Sequence, residues 1–445
     1  IILVFIEDVI GMLQELTLEE KQLLSINKLI TDIACDYDNQ WIKRKRSIDS
    51  KFLISFIFQI ILDTNKGYSI SLLRLWEHYS NKDIQTPQQK IFAPSSVCEA
   101  RQKLSEQIFI DLNKKLISEF NYQKQKVAHQ LAHRVFAVDG SRVNLPKELK
   151  ELGYKTCNKN SYYPQGLMSC IYNIDAQIVY DFCLSKNLNE RLCVPNHLSV
   201  LQKGDIVIFD RGYFSYLLLY QCMKKDIVPV FRVSIHLGNK ALLDFVSSVE
   251  PDSVIEYVPS STVKKQIEKQ GLNIECKPIM LRLVKHEIDY KLYLYATTLI
   301  DSKYSRKIFA ELYAKRWEIE ELYKISKCLV DVEAFHSKTE RGVKQETYAH
   351  FVLINLARLF ELAAKAKYDK NSGNTKFNFK NCLNVIEQSI QTIIYKSELF
   401  CTHIILKATY QISQIKQKIR PMRKYLRISH KPFNRWVLNR SPFRT

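Results

Sequence analysis

Residues 134–139 read Arg-Val-Phe-Ala-Val-Asp, and residues 205–210 read Asp-Ile-Val-Ile-Phe-Asp. Each is a short apolar run, rich in Val, Ile and Phe, that ends in an acid. Runs of this length and composition predict buried strands. Working outward, 167–174 and 178–184 read as two more strands joined by a turn at Asp175, and 228–233 as another, preceded by a helix that begins near Phe214. Strands interleaved with helices predict an α/β sheet. Residues 234 to about 300 read as a β-rich insertion, with strand-like stretches at 254–258, 279–284 and 290–298. A long helix is predicted over about 304–330, with further helices over 342–368, 381–393 and 400–415.

Upstream, 1–125 reads as an all-helical domain. Thr17-Leu-Glu-Glu20 and Ser96-Val-Cys-Glu99 have the form of capping boxes. Leu104, Ile108, Leu112 and Leu116 recur at helical spacing. The chain thus divides into a helical N-terminal domain (1–125), an α/β core (126–345, with the insertion at about 234–300) and a helical C-terminal region (346–445). Residues 52–62 are apolar but far short of a membrane span, and read as a core helix. No targeting segment is visible. The chain begins at Ile1, so either the start is unusual or the N-terminus lies upstream.

Lys and Arg number 66 against 46 Asp and Glu, a formal net charge of +20. A chain this basic points to a polyanionic partner, nucleic acid first and an anionic membrane surface second. After Glu398 no acid occurs, and 416–444 carries ten basic residues interleaved with Tyr425, Phe433 and Trp436, a pattern suited to phosphate contact. The eleven cysteines include no Cys-x-x-Cys pair. That excludes the usual zinc ligand spacings and a disulfide framework, and fits buried thiols in a reducing compartment.

Candidate chemistry begins with the helix around Glu320. At about 100° per residue, Tyr313, Arg316, Glu320 and Lys327 fall within roughly 60° of one another. That stripe is bordered by Leu312, Ile319, Leu322, Ile325 and Leu329, so it reads as a polar line set into a cleft rather than an ordinary solvent face. An i,i+4 Arg–Glu pair on a half-exposed helix is the plainer alternative. Two further acids, Asp139 and Asp210, each end a strand, where an open α/β sheet binds its ligands. Three carboxylates without His or Cys suit Mg²⁺ or Mn²⁺ rather than zinc. Such a set can hold two divalent ions for an in-line displacement at phosphorus. Arg316 and Lys327 are placed to grip a phosphate oxygen, with Tyr313 able to donate a hydrogen bond to it. Arg211, beside Asp210, is a further candidate phosphate contact.

Tyr313, Arg316, Glu320 and Lys327 keep the spacing Tyr-x2-Arg-x3-Glu-x6-Lys, which resembles the signature of one group of bacterial insertion-sequence DDE transposases. Val138-Asp-Gly-Ser141 with Leu145-Pro146, Asp210-Arg-Gly-Tyr213, and Lys431-Pro432 with Asn434-Arg435-Trp436 look similar to that family too. The resemblance implies an RNase H-like catalytic core, a mixed sheet flanked by helices, with Asp139 and Asp210 on neighbouring strands, Glu320 on a later helix, and a β-rich insertion between them. It implies a cytoplasmic, nucleoid-associated enzyme that uses two Mg²⁺ ions, with Mn²⁺ as substitute. Such an enzyme cuts double-stranded DNA at transposon terminal inverted repeats and joins the freed 3′-hydroxyl to target DNA, as a homodimer on paired ends. Some relatives pass through a hairpin in which a flipped base stacks on an aromatic residue. None of the four tryptophans (41, 76, 317, 436) lies in the insertion, which leaves Tyr257 as substitute. The helical N-terminal domain is expected to read the transposon end, with Arg101 and Lys103 as possible phosphate contacts or plain packing residues.

Two other readings are compatible with the charge and the acids. Another RNase H-like metal-dependent nuclease leaves the four-residue spacing unexplained and would not transfer strands. An inactive DNA-binding remnant would bind element ends without nicking them in Mg²⁺. Short terminal inverted repeats bracketed by direct repeats in the flanking DNA would mark the transposase.

Overall fold

The computed structural model describes residues 16–42, 47–63, 67–120, 133–158, 161–236, 238–269, 271–272, 274–288, 290–369 and 375–419. Among the described residues six helices come first: α1 (Leu18–Leu24), α2 (Ile26–Trp41), α3 (Ser50–Leu62), α4 (Tyr68–Asn81), α5 (Pro94–Lys103) and α6 (Gln107–Glu119). The capping box at Thr17 forms as expected: the Glu20 N–H donates to Thr17 Oγ1 (3.2 Å) and the Thr17 N–H to Glu20 Oε2 (3.0 Å). The one expected at Ser96 does not. Pro94 opens α5 with Ala93 at the cap position, because its fixed φ and missing N–H suit the first helical residue. Helix α3 buries Phe52, Leu53, Ile54, Phe56, Ile57, Phe58, Ile60 and Ile61 and so runs through the helical core. Among the described residues no helix is long and apolar enough to cross a membrane.

The second part is a mixed sheet. Its elements are β1 (Val135–Asn144), β2 (Lys155–Thr156), β3 (Pro164–Asn173), β4 (Ile178–Ser185), the short helix α7 (Val194–His197), β5 (Ile206–Phe209), α8 (Tyr216–Lys224) and β6 (Val228–Val233). β4 pairs β3 and β3 pairs β1 antiparallel, whereas β1, β5 and β6 run parallel. This spatial order, β4-β3-β1-β5-β6, is that of the RNase H-like core expected from the sequence. The stretch after β6 contains α9 (Lys240–Ser247), β7 (Asp252–Tyr257), α10 (Ser261–Lys269), β8 (Ile279–Ile288) and β9 (Lys291–Thr297). It extends the same sheet, since β9 pairs antiparallel with β6, and β8 and β7 follow at the edge.

Helices α11 (Arg306–Lys315) and α12 (Trp317–Cys328) replace the single helix expected over 304–330. They meet at Arg316, where the Arg316 N–H bonds to the Tyr313 carbonyl (3.0 Å) and the Ile319 N–H to the Arg316 carbonyl (3.1 Å). Both are i to i−3 contacts, so the chain tightens there into a turn of 3₁₀ type. Helix α13 (Glu340–Tyr368) follows, then β10 (Thr375–Phe377), α14 (Phe379–Tyr395), α15 (Glu398–Gln414) and β11 (Lys416–Lys418). The basic stretch predicted over 416–444 lies outside the described residues from 420 onward. Within it, Lys416 Nζ pairs with Asp369 (2.9 Å).

Helices from the two ends of the chain share one apolar core, and two buried acids tie them together. Glu20, fully buried, accepts from Lys367 Nζ (3.1 Å) on α13 and from Thr409 Oγ1 (2.9 Å) on α15. Glu346 on α13 pairs with Arg101 of α5 (3.0 Å) and also accepts the His336 and Ser337 N–H groups. Arg101 further bonds Gln345 (3.1 Å), the Gly342 carbonyl (3.2 Å) and the Tyr68 hydroxyl. Arg101 is therefore a packing residue, only 3% exposed, and its charge is spent inside the protein rather than on phosphate.

Candidate active site

The parallel pairing of β1 with β5 sets the site. Ala137 is in register with Ile208, so Asp139 and Asp210 both stand two residues further on; Asp210 follows the end of β5 as expected, whereas Asp139 does not end its strand, because β1 stays paired with β3 as far as Asn144. Helix α12 turns Ile319, Leu322, Tyr323 and Ser326 inward. That leaves Glu320 on its half-open side. Gly140 follows Asp139 because nothing larger fits: a Cβ there would stand 2.8 Å from Glu190 Cγ and 2.8 Å from Leu167 Cδ1.

Arg316 joins the acids. Its Nη1 lies 3.3 Å from Asp139 Oδ2, and its Nη2 bonds Glu320 Oε1. The Tyr313 hydroxyl donates to Asp210 Oδ1 (2.7 Å), and the Arg316 guanidinium lies over the Tyr313 ring, 5.6 Å from its centroid. Two members of the sequence stripe, Tyr313 and Arg316, thus engage the three acids, of which Glu320 is the stripe's third member. The fourth, Lys327, reaches elsewhere: its Nζ donates to the Arg142 carbonyl (2.7 Å), three residues beyond Asp139 on β1. Burial pulls its ammonium below the usual lysine range. Arg211 is exposed in the turn after Asp210.

The two aspartates are pushed in opposite directions. Burial moves Asp139 up to about 6; the Gly140 N–H and Arg316 oppose this, while Glu190 and Glu320 add to it. Burial also acts on Asp210, but the Tyr313 hydroxyl, the Arg211 N–H and the charges of Arg316 and Arg232 outweigh it and hold that carboxyl below its usual value. Asp139 therefore carries a stability cost when charged. A carboxyl raised in the folded state contributes stability that is full below its ordinary value, near 3.8, and is lost as pH rises through about 6. The loss from this group is about 3 kcal/mol. Two results are expected in thermal melts of the metal-free protein. Asp139→Asn should melt higher than the wild type at pH 7.5, and the difference should vanish near pH 4. A lower melting point for Asp139→Asn at pH 7.5 would contradict the strain assigned to this carboxylate.

Among the described residues no three His, Cys, Asp or Glu side chains stand close enough to enclose a metal ion in this arrangement. The donor set nevertheless fits hard cations. Asp139, Asp210 and Glu320 offer only oxygen, and each interacts with one cationic group, Arg316, lodged between them. A guanidinium there does the neutralising work that a divalent ion would do, and the buried charge of Asp139 favours a stronger cation still.

Three residues near the site were not singled out in the sequence. Glu190 opens a single 3₁₀ turn (Glu190–Leu192), too short for a periodicity to mark it. Arg232 stacks over Tyr293 (4.8 Å to the centroid) and lies beside Tyr313 (5.8 Å). Tyr323 is a buried phenol on α12 whose hydroxyl donates to the Asp139 carbonyl. Tyr257, the expected stacking residue, is 6% exposed and packed against Phe214 and Tyr216, so it is not offered to DNA.

Residues 130–356, just over half of the chain, match the family model described as Transposase DDE domain. The cryo-EM structure of the piggyBac transposase synaptic complex with hairpin DNA aligns over 84% of this chain and 80% of that one, at 10% identity and a TM-score of 0.44. None of the curated proteins compared matches the chain significantly.

Proposed function

Because the chain belongs to the family of the Transposase DDE domain, we propose that it is the cut-and-paste transposase of a bacterial insertion sequence, acting on paired terminal inverted repeats as a homodimer. Asp139, Asp210 and Glu320 form its catalytic centre and hold two Mg²⁺ ions, with Mn²⁺ able to replace them. The observation that supports this most is the convergence of the three acids across 181 residues of sequence: Arg316 pairs with Asp139 and Glu320, and Tyr313, lying against Arg316, bonds Asp210. Bound there, the ions would activate a water or 3′-hydroxyl and stabilise the leaving oxygen.

The chain's own groups do the rest. Tyr313 holds the Asp210 carboxylate in one orientation through its hydroxyl. Arg316 exchanges its carboxylate partners for a phosphate oxygen when DNA enters; its Nε–H, buried without a hydrogen-bond partner, is ready for one. Lys327 and Arg211 contact phosphates on either side of the acids. Lys327→Ala should lower the cleavage rate roughly 10-fold to 100-fold, the worth of one charge-assisted hydrogen bond; an unchanged single-turnover rate would remove Lys327 from the phosphate contacts. Affinity for DNA should fall steeply with salt, by about 10³-fold to 10⁵-fold between 50 and 200 mM if six to ten phosphates are neutralised. A flat titration would rule out a backbone-led interface.

The deciding experiment uses the full chain and labelled duplexes carrying the element's own terminal repeats. In Mg²⁺, nicks at the element boundary that leave 3′-hydroxyls, followed by joining of those ends to a plasmid, support the proposal. Cleavage without joining would instead indicate a nuclease, and binding without cleavage an inactive remnant.

A further inference from the structure

Resting on that assignment of the acids, we infer that Tyr323 is a positioning residue that fixes the distance between Asp139 and Glu320. It sits one turn after Glu320 on α12, and its ring is buried. Its hydroxyl donates to the backbone carbonyl of Asp139 at 2.7 Å, with the Cys170 thiol, from the strand opposite, 3.3 Å away. One side chain thus ties the helix that carries the third acid to the main-chain atoms of the first.

The need for such a tie follows from the sheet. The pairing of β1 with β5 ends at Ala137–Ile208, so from Val138 onward β1 has lost its neighbour on that side. Beyond that point β1 is held in the sheet by β3, with Asp139 opposite Cys170, so its position relative to α12 rests on contacts that the helix itself makes. A second hydroxyl, Ser169 Oγ, lies 3.4 Å from the same carbonyl. Ser169 Oγ has a nearer partner, however. Ser169 Oγ is 2.9 Å from His197 Nε2, and His197 Nδ1 is 2.8 Å from Asp181 Oδ2. Tyr323 is then the donor that holds Asp139. The direct bond is also the shorter of the two by a clear margin.

Tyr323→Phe keeps the ring, fills the same space and deletes only the hydroxyl. Tyr216→Phe is the matched control, since the Tyr216 hydroxyl donates to the Lys277 carbonyl (2.6 Å) far from the acids. Each variant loses one hydroxyl–carbonyl bond, so melting temperatures should fall by similar small amounts. A structural role alone would leave both equally active. The inference expects more of Tyr323→Phe: single-turnover cleavage reduced about 10-fold to 100-fold, as misplacing a catalytic group by a fraction of an ångström does. It also expects a several-fold higher Mg²⁺ concentration for half-maximal rate, with affinity for end DNA within twofold of wild type. Tyr216→Phe should match the wild type in both kinetic readings. Cleavage by Tyr323→Phe at the wild-type rate and wild-type Mg²⁺ requirement would overturn the inference. Failure of the wild-type protein to cleave at all would instead overturn the assignment of the acids on which it rests.

Discussion

Asp139→Asn, Asp210→Asn and Glu320→Gln are each expected to reduce DNA cleavage by roughly 10³-fold or more while leaving affinity for end DNA nearly unchanged. The size follows from what a carboxylate gives a bound divalent ion: losing one ligand removes several kcal/mol of charge stabilisation from the transition state. The selectivity follows from position. The acids converge in one cluster and add negative charge beside a DNA backbone, so neutralising any of them leaves binding intact or slightly improves it. The amide changes are close to isosteric, and the Asp139 change relieves buried charge. Inactivity would therefore not be a folding defect, and melts alongside cleavage assays separate the two. A variant of the three that nicks at a near wild-type rate is not part of the site.

The second large effect concerns stability. Arg101→Met should lower unfolding free energy by about 3–5 kcal/mol in urea titrations, because it strands the buried Glu346 carboxylate. Arg101 and Glu346 hold each other's charge in the folded range: burial opposes both, and their mutual attraction prevails. Adding Glu346→Gln to Arg101→Met should recover part of the loss, since the amide still accepts from the His336 and Ser337 N–H groups without an unpaired charge. A single-variant loss below about 1 kcal/mol would show that water reaches the pair and that it is not a buried one. The pair matters beyond stability. It anchors the loop after α12, and hence the Glu320 helix, to the N-terminal helices.

Much of this was legible in the residues. The strands that carry Asp139 and Asp210 announce themselves as apolar runs ended by an acid, and β6 falls where Val228–Val233 predicts it. Tyr313, Arg316 and Glu320 stay on one side across the tightened turn at Arg316, whose two i to i−3 hydrogen bonds shift the helix phase only slightly, whereas Lys327 turns to the Arg142 carbonyl. What could not be read was partnership. Nothing in the local sequence distinguishes Arg101, sealed against Glu346 from 245 positions away, from a surface arginine facing phosphate. Likewise the insertion reads as β-rich, but its edge pairing with β6 depends on contacts between distant segments. Tyr323 sits at a core position by periodicity, and only the folded structure shows its hydroxyl meeting the Asp139 carbonyl.

The central claim is that Asp139, Asp210 and Glu320 act as one cation-binding cluster beside DNA. Anomalous diffraction from crystals of the full chain with end DNA and Mn²⁺ tests it most directly. The account predicts Mn²⁺ peaks within coordination distance of all three carboxylates, with Arg316 withdrawn from Glu320 onto a phosphate. Mn²⁺ bound elsewhere, with Arg316 still between Asp139 and Glu320, would contradict it.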